Sequence, residues 1–382
     1  MSRAWDPADL VILAPGLRDR IGHEHEYTLM IAEAAIARGA AVKVVCPPPT
    51  EDLGLPGRTQ AVLPAPRKPI RGRSLADRVR ARLAPVHDRL DRRRYRRLFA
   101  RNGQAVWLLH TAPYDEIARI TRAFSEAGEG QLWVILRYDH YDEPSAVESV
   151  RRALAPAADP RIGLFADSQS LRALLQPLSP AEIRLAPIPV LAPPRRNATA
   201  RTVGFFGAMR PQKGFTRLPA LFSAASALDP ELEFVVQAYR HPHDAPDIEI
   251  EDALAALRAS PRVTLLESPL SSEQFHAALA GCAVLVTPYD AHVYRAGTSG
   301  VFTAGIAAGC AVLGTTTGWM REEADRIQLT RYFAADFANV ADAGRALVEA
   351  AQVGAQPFQP TPAEAAWIRF NSAASLVERL GL

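Results

Sequence analysis

"VYRAGTSGVFTAGIAAGCAVLGT", Val293 to Thr315, reads as a polar turn, a short helix of small and apolar residues, a Gly309 stop and a buried strand. Thr298 or Ser299 is placed to cap that helix, and the N–H groups of its first turn then have no intrahelical acceptor. Such a terminus attracts anions, because the free N–H groups and the aligned peptide dipoles both present positive charge. No acidic residue lies between Gly300 and Ala308, so the rest of any bound anion must be held from elsewhere.

A second cationic feature precedes it in the chain. "FFGAMRPQKGF", Phe205 to Phe215, follows a strand pattern with a glycine at the strand end, and Arg210 and Lys213 then lie three apart in a turn. Gly207 allows close backbone approach there. Two fixed cations at a strand end suit a diphosphate, although two solvated turn charges would read the same way in isolation.

Short apolar runs alternate with helical patterns along nearly the whole chain, the signature of parallel sheets covered on both faces. Strands are expected at 10–15, 41–46, 105–110, 132–139, 161–167 and 183–190. A second set is expected at 202–209, 232–239, 263–268, 283–289 and 311–316, with helices between. "LAPPRRNATAR", Leu191 to Arg201, breaks the pattern with prolines and small polar residues and reads as a linker. The expected architecture is therefore α/β, two doubly wound Rossmann-like domains with a cleft between them: residues 1–195, residues 196–360, and a final helix within 361–382 that packs back toward the first domain.

Composition narrows the class. A chain of 382 residues, 48% hydrophobic and 22% charged, has the composition of a globular protein rather than a disordered one. Cys46, Cys282 and Cys310 form no CxxC pair and sit in apolar runs, so buried free thiols in a reducing compartment are expected, with no metal site. The first fifteen residues lack the order of charge, apolar core and small residues of a signal peptide, and no run approaches a membrane span, so a cytoplasmic protein is expected.

The net charge of +3 hides an uneven distribution. Residues 67–101 carry fourteen Arg or Lys against three Asp, a local +11, which leaves −8 for the remainder. Leu75, Val79, Leu83, Val86 and Leu90 follow helical steps within this segment, with Pro85 expected to kink it. The pattern suits a helix lying on an anionic membrane surface. A solvated helix packed on its own domain is the plainer alternative. Nucleic-acid binding is not expected, since no aromatic-interleaved motif accompanies the arginines.

Together, "FFGAMRPQKGF", "LVTPYD…YRAGTSGVFTAGIAAGCAVLGT" and the "LAPIPV" strand resemble glycosyltransferases of the GT-B fold, closest to the large group called family 4. The likeness is strongest from Val203 to Trp319. It implies a nucleotide-sugar donor, UDP- or GDP-linked, whose diphosphate is held by Arg210 and Lys213 and by backbone amides around Thr298, Ser299 and Gly300, with Gly207 making room. It implies no cofactor or metal, and a glycan or lipid-linked acceptor. One departure stands out: the resemblance expects two glutamates eight apart, for ribose and for donor sugar, and these positions hold Ala304 and Ala296. Alanine accepts no hydrogen bond, so ribose is left to Glu322, Glu323 or water, or is held unselectively. Asp290, His292, Tyr294 and Arg295 are the candidates for sugar contact.

Transfer also needs a proton acceptor for the incoming hydroxyl. In the first half, Gly22, His23 and Glu24 occupy the loop after the first strand, where related enzymes approach donor and acceptor; Glu26 has a plain helix-capping role available. His110, and Asp139 with His140 in "DHYDE", stand at expected strand ends and are the catalytic candidates, each with structural packing as its alternative. The acidic cluster also has the look of a cation site, which the resemblance argues against. The expected activity is sugar transfer to a lipid-linked or surface-glycan acceptor. A nucleotide-sugar epimerase of the same fold and a catalytically silent nucleotide- or glycan-binding scaffold are the alternatives.

Overall fold

The computed structural model describes residues 8–64, 75–138, 144–190, 201–240 and 246–382, without side-chain detail at 23, 75–81, 83, 85, 144 and 145. Two compact units divide the chain, Met1–Pro187 with Ala373–Leu382, and Ile188–Ser372.

The first unit contains β1 (Leu10–Leu13), α1 (His23–Ala37), β2 (Val42–Cys46), β3 (Arg58–Ala61), α2 (Leu75–Asn102), β4 (Val106–Leu109), α3 (Tyr114–Ala127), β5 (Gln131–Leu136), α4 (Pro144–Leu154), β6 (Ile162–Ala166), α5 (Gln169–Leu175) and β7 (Ile183–Leu185). Its strands are parallel, in the order β3-β2-β1-β4-β5-β6-β7. The central strands are fully buried apolar runs, as burial on both faces requires. Lys43 is the exception: it lies buried in β2, and its Nζ donates to Asn102 Oδ1 at 2.7 Å, tying the end of α2 to the sheet. β3 was not expected from the sequence, because an exposed polar edge strand, "RTQA", has neither alternation nor an apolar run.

In the second unit, β8 (Thr202–Phe205), α6 (Leu218–Leu228), β9 (Glu233–Gln237), α7 (Ile248–Ala259), β10 (Val263–Leu266), α8 (Ser272–Ala280), β11 (Val284–Thr287), α9 (Gly300–Ala308), β12 (Ala311–Thr315), α10 (Trp319–Arg326), β13 (Tyr332–Ala335), α11 (Val340–Gly354) and α12 (Pro362–Phe370) follow in order. The strands are again parallel, ordered β10-β9-β8-β11-β12-β13. In both sheets the winding reverses beside the first strand, between β1 and β4 and between β8 and β11. Ligands of open α/β sheets bind outside the carboxyl ends of strands at such reversals.

The single closing helix expected from the sequence is broken. Asn371 ends α12, its Oδ1 accepting from Ile188 N at 2.8 Å and its carbonyl from Val190 N at 3.1 Å. A backbone carbonyl committed to another segment cannot continue the helical ladder. The chain then forms α13 (Ala373–Arg379), which packs on α1.

Candidate functional site

At the winding reversal of the second unit, the turn after β8 and the loop after β11 are knitted together. Gly207 leaves the strand at φ 117°, a conformation that favours glycine, and its N–H donates to Gln237 Oε1 at 2.7 Å. Any Cβ at Gly207 would stand 2.5 Å from Lys213 Nζ, so the lysine lies across the bare glycine. A short 3₁₀ turn, Pro211–Lys213, is closed by Gly214 in the left-handed region at φ 71°, packed against the Pro288 carbonyl. Asp290 N donates to Gln212 O at 2.9 Å and Arg217 Nη1 to Pro288 O at 3.0 Å.

Lys213 Nζ stands 5.6 Å from the centroid of the Tyr289 ring. Tyr289 is fully buried, and its hydroxyl lies beside Ser299 without a hydrogen-bond partner of good geometry among the described residues. Ser299 caps α9, its Oγ accepting from Phe302 N at 3.2 Å, while Thr303 N bonds the Ser299 carbonyl. That leaves the amides of Gly300 and Val301, at the first two helical positions, with no intrahelical acceptor. Lysine, tyrosine ring, capping serine and helix terminus thus form one continuous set of contacts. The sequence singled out the turn and the terminus but missed Tyr289, which reads as an ordinary aromatic at the end of an apolar run.

Electrostatics mark the same place. Loss of water around Lys213, with the Arg210 guanidinium nearby as a second cause, lowers its pKa to about 8. Tyr294 packs on Tyr289 with ring centroids 4.6 Å apart, and burial pushes its hydroxyl up against the pull of Arg210. Arg210, Tyr294, Arg295 and Thr298 are all half-buried. Asp290 Oδ1 is occupied by the N–H groups of His292 at 2.9 Å and Val293 at 3.3 Å, shaping the loop rather than reaching outward. Of the two carboxylates offered for ribose, Glu323 accepts from Trp367 Nε1 and is clamped by Arg326, while Glu322 is exposed on α10. Ala296 is fully buried, and Ala304 is 4% exposed in an apolar cluster with Phe206, Leu285, Val301 and Ala308.

The reversal of the first unit gathers a different set. His110 directly follows β4 and is 0% exposed; its Nε2 contacts Thr28 Oγ1 at 2.9 Å and its Nδ1 Thr111 Oγ1 at 3.1 Å. Burial, and secondarily the charge of Arg137, drives its pKa down to about 3. A neutral imidazole with both nitrogens engaged inside the protein packs against α1 and positions Thr28. Arg137, at the end of β5, donates through Nε to His110 O at 2.7 Å, stacks over Tyr27 at 4.1 Å and lies 3.6 Å from Asp167 at the end of β6. Sequence reasoning passed over Arg137, Asp167 and Tyr27, although a charged residue closing an apolar strand was the available signal.

Glu24 sits in the first turn of α1 and accepts from Gly16 N through Oε1 at 2.9 Å. Burial raises its pKa to about 7, against that hydrogen bond and the Arg137 charge, with Asp19 adding to the rise. Gly22 caps α1 at φ 85°, and His23 is its first residue. Asp139 and His140 lie outside the described residues. Among the described residues no group of three His, Cys, Asp or Glu side chains is disposed to hold a metal ion.

No protein-family model and no curated protein sequence matches the chain. Solved structures do. HepE from Anabaena in complex with UDP and glucose superposes with a TM-score of 0.64 at 13% identity, covering 98% of each chain. Sucrose-phosphate synthase from Thermosynechococcus elongatus gives 0.59 at 14% identity over 97% of each chain. A putative UDP-N-acetylglucosamine 2-epimerase from Listeria monocytogenes gives 0.60 at 14% identity, over 97% of this chain and 94% of that one. At these identities the likeness establishes architecture: the chain has the GT-B fold, two parallel-sheet α/β units of seven and six strands.

Proposed function

We propose that this protein is a metal-independent glycosyltransferase that binds a UDP- or GDP-linked sugar and passes the sugar to a lipid-linked or surface-glycan acceptor at the cytoplasmic face of the membrane. The observation that carries the reading is the contact series Lys213–Tyr289–Ser299, which brings a half-buried cation and the N-terminus of α9 to one winding reversal. In glycosyl transfer the bond between anomeric carbon and diphosphate oxygen lengthens, the sugar gains oxocarbenium character, and negative charge gathers on the leaving diphosphate. Lys213, Arg210 and the amides of Gly300 and Val301 neutralise that charge, which grows toward the transition state and so is worth more there than in the ground state. Tyr294, Arg295 and Thr298 flank the donor on a loop shaped by Asp290, and Glu24, with a pKa near neutrality, stands with Gly22 and His23 on the acceptor side of the reading.

The testing experiment is a thermal-shift screen of UDP, GDP and their sugar conjugates. A ligand at a hundred times its Kd adds about 2.7 kcal/mol to the folded state, a shift of several degrees. No shift with any of them overturns the donor site. A pH experiment tests the lysine itself. A bound diphosphate restores the charged form of a lysine otherwise lowered to about 8, so UDP binding at pH 8.5 takes up protons, and affinity falls as pH rises further. Titration calorimetry in two buffers of different ionisation enthalpy measures this uptake; a net release contradicts it.

An epimerase is the second reading, favoured by one observation, the epimerase of like fold among the matching structures. Incubation with a nucleotide-sugar alone separates the two: an epimerase changes the sugar, whereas a transferase needs a separate acceptor.

A further inference from the structure

The long helix α2 has two unlike faces. Tyr95, Leu98 and Phe99 are buried at 0%, 5% and 0% exposure, and that face is pinned to α3. Arg92 and Arg96 pair with Glu126, Arg119 of α3 reaches Asp88 at 3.1 Å, and Tyr95 donates to Glu116. The opposite face carries a row of arginines. Arg82, Arg89, Arg93 and Arg97 are exposed, and none has a counter-charge among the described residues. Between them stand Val86 and Leu90, 51% and 48% exposed. Positions 82, 86, 89, 90, 93 and 97 step by four, three, one, three and four, which aligns them on one stripe, about 22 Å long, of the helix.

We infer that this stripe docks the protein on an anionic phospholipid bilayer. A bilayer supplies both things the stripe lacks, a plane of negative phosphates for the four guanidinium groups and an acyl boundary for the two apolar side chains. A nucleic acid would supply only the first and would leave Val86 and Leu90 in water. Because the inner face is fixed by ion pairs and buried aromatics, the stripe is presented ready-formed and no folding of α2 accompanies docking. Among the described residues no helix is long and apolar enough to cross a membrane, so attachment by α2 is reversible and peripheral. The inference deepens the transferase reading, in that it names where a lipid-linked acceptor is met, but the test needs neither donor nor acceptor.

Flotation with vesicles of phosphatidylcholine containing 30 mol% phosphatidylglycerol, against phosphatidylcholine alone, provides that test. The protein is expected to bind the anionic vesicles at least tenfold more tightly. Replacing Arg82, Arg89, Arg93 and Arg97 together by alanine is expected to cost at least tenfold. Val86→Ser with Leu90→Ser is expected to cost at least threefold at unchanged net charge. A charge-matched control, Arg151, Arg152, Arg258 and Arg345 to alanine, leaves binding unaltered, and circular dichroism verifies that each variant is folded. Absence of flotation, an equal loss in the control, indifference to the two serine changes, or tighter binding to duplex RNA than to the vesicles each overturns the inference. UDP binding by the same preparation separates these failures from failure of the donor site.

Discussion

Lys213→Met is expected to give a protein that binds UDP roughly ten- to a hundredfold more weakly and melts several degrees higher. The binding loss follows from deleting a charge-assisted hydrogen bond, about 1.5–3 kcal/mol. The gain in stability follows from the same burial that makes the lysine useful. In the folded protein its pKa is lowered to about 8 from 10.5, burial being the larger cause and Arg210 the smaller. Between those two values the unfolded chain holds a proton that the native chain has released, so stability rises with pH across that window. Below pH 8 both states are charged and the full penalty remains, on the order of 2–3 kcal/mol. Methionine keeps the stem packed over Gly207 and against Tyr289 and removes the penalty. Differential scanning calorimetry at pH 7 and pH 10.5 separates the contributions: the advantage of the variant is large at the first and nearly gone at the second. A variant that binds UDP like the parent, or melts lower at pH 7, contradicts the reading of Lys213 as a strained anion-binding group.

The elements legible in the sequence were those whose residues face burial on both sides. β1, β4, β5, β11 and β12 are apolar runs because a doubly covered sheet tolerates little else. β3 escaped notice since an edge strand exposes its side chains, and "RTQA" has a loop's composition. The turn after β8 and the cap of α9 were legible because their chemistry resides in glycines, a lysine and a serine whose local roles follow from backbone geometry. Tyr289 was not, because its part depends on a lysine 76 positions away crossing its ring. In the first unit the strand-end position of His110 could be read, but its burial could not, since Thr28 and Tyr27 reach it from α1. Arg137 and Asp167 illustrate the same limit: each closes its own strand, and only the adjacency of β5 and β6 makes them a pair.

Ala304→Glu tests the departure from the glutamate-bearing pattern, and its expected result is a loss of about 3–5 kcal/mol in stability. If the protein had merely lost a ribose-binding carboxylate from an open pocket, restoring it would be harmless. The structure argues otherwise. Ala304 is 4% exposed and packs with Phe206, Leu285 and Val301, and Phe206 in turn meets Phe275 edge-on at 5.5 Å. The side chains of Phe206, Leu285 and Val301 offer a carboxylate there no hydrogen-bond donor, and an unpaired buried charge costs several kcal/mol beyond the crowding. Two features distinguish this from simple overpacking. Ala304→Leu adds comparable bulk without charge and is expected to cost only about 1–3 kcal/mol. The glutamate's native pKa would be raised by burial, so the folded state takes up a proton more readily than the unfolded one. Its deficit therefore shrinks as pH falls from neutrality toward the unfolded carboxyl value of about 4.3, whereas that of the leucine variant does not. Urea denaturation of both variants at pH 7.5 and pH 5 reads the difference. Parental stability in Ala304→Glu at both pH values would mean that position 304 opens onto solvent and that Phe206 does not close it.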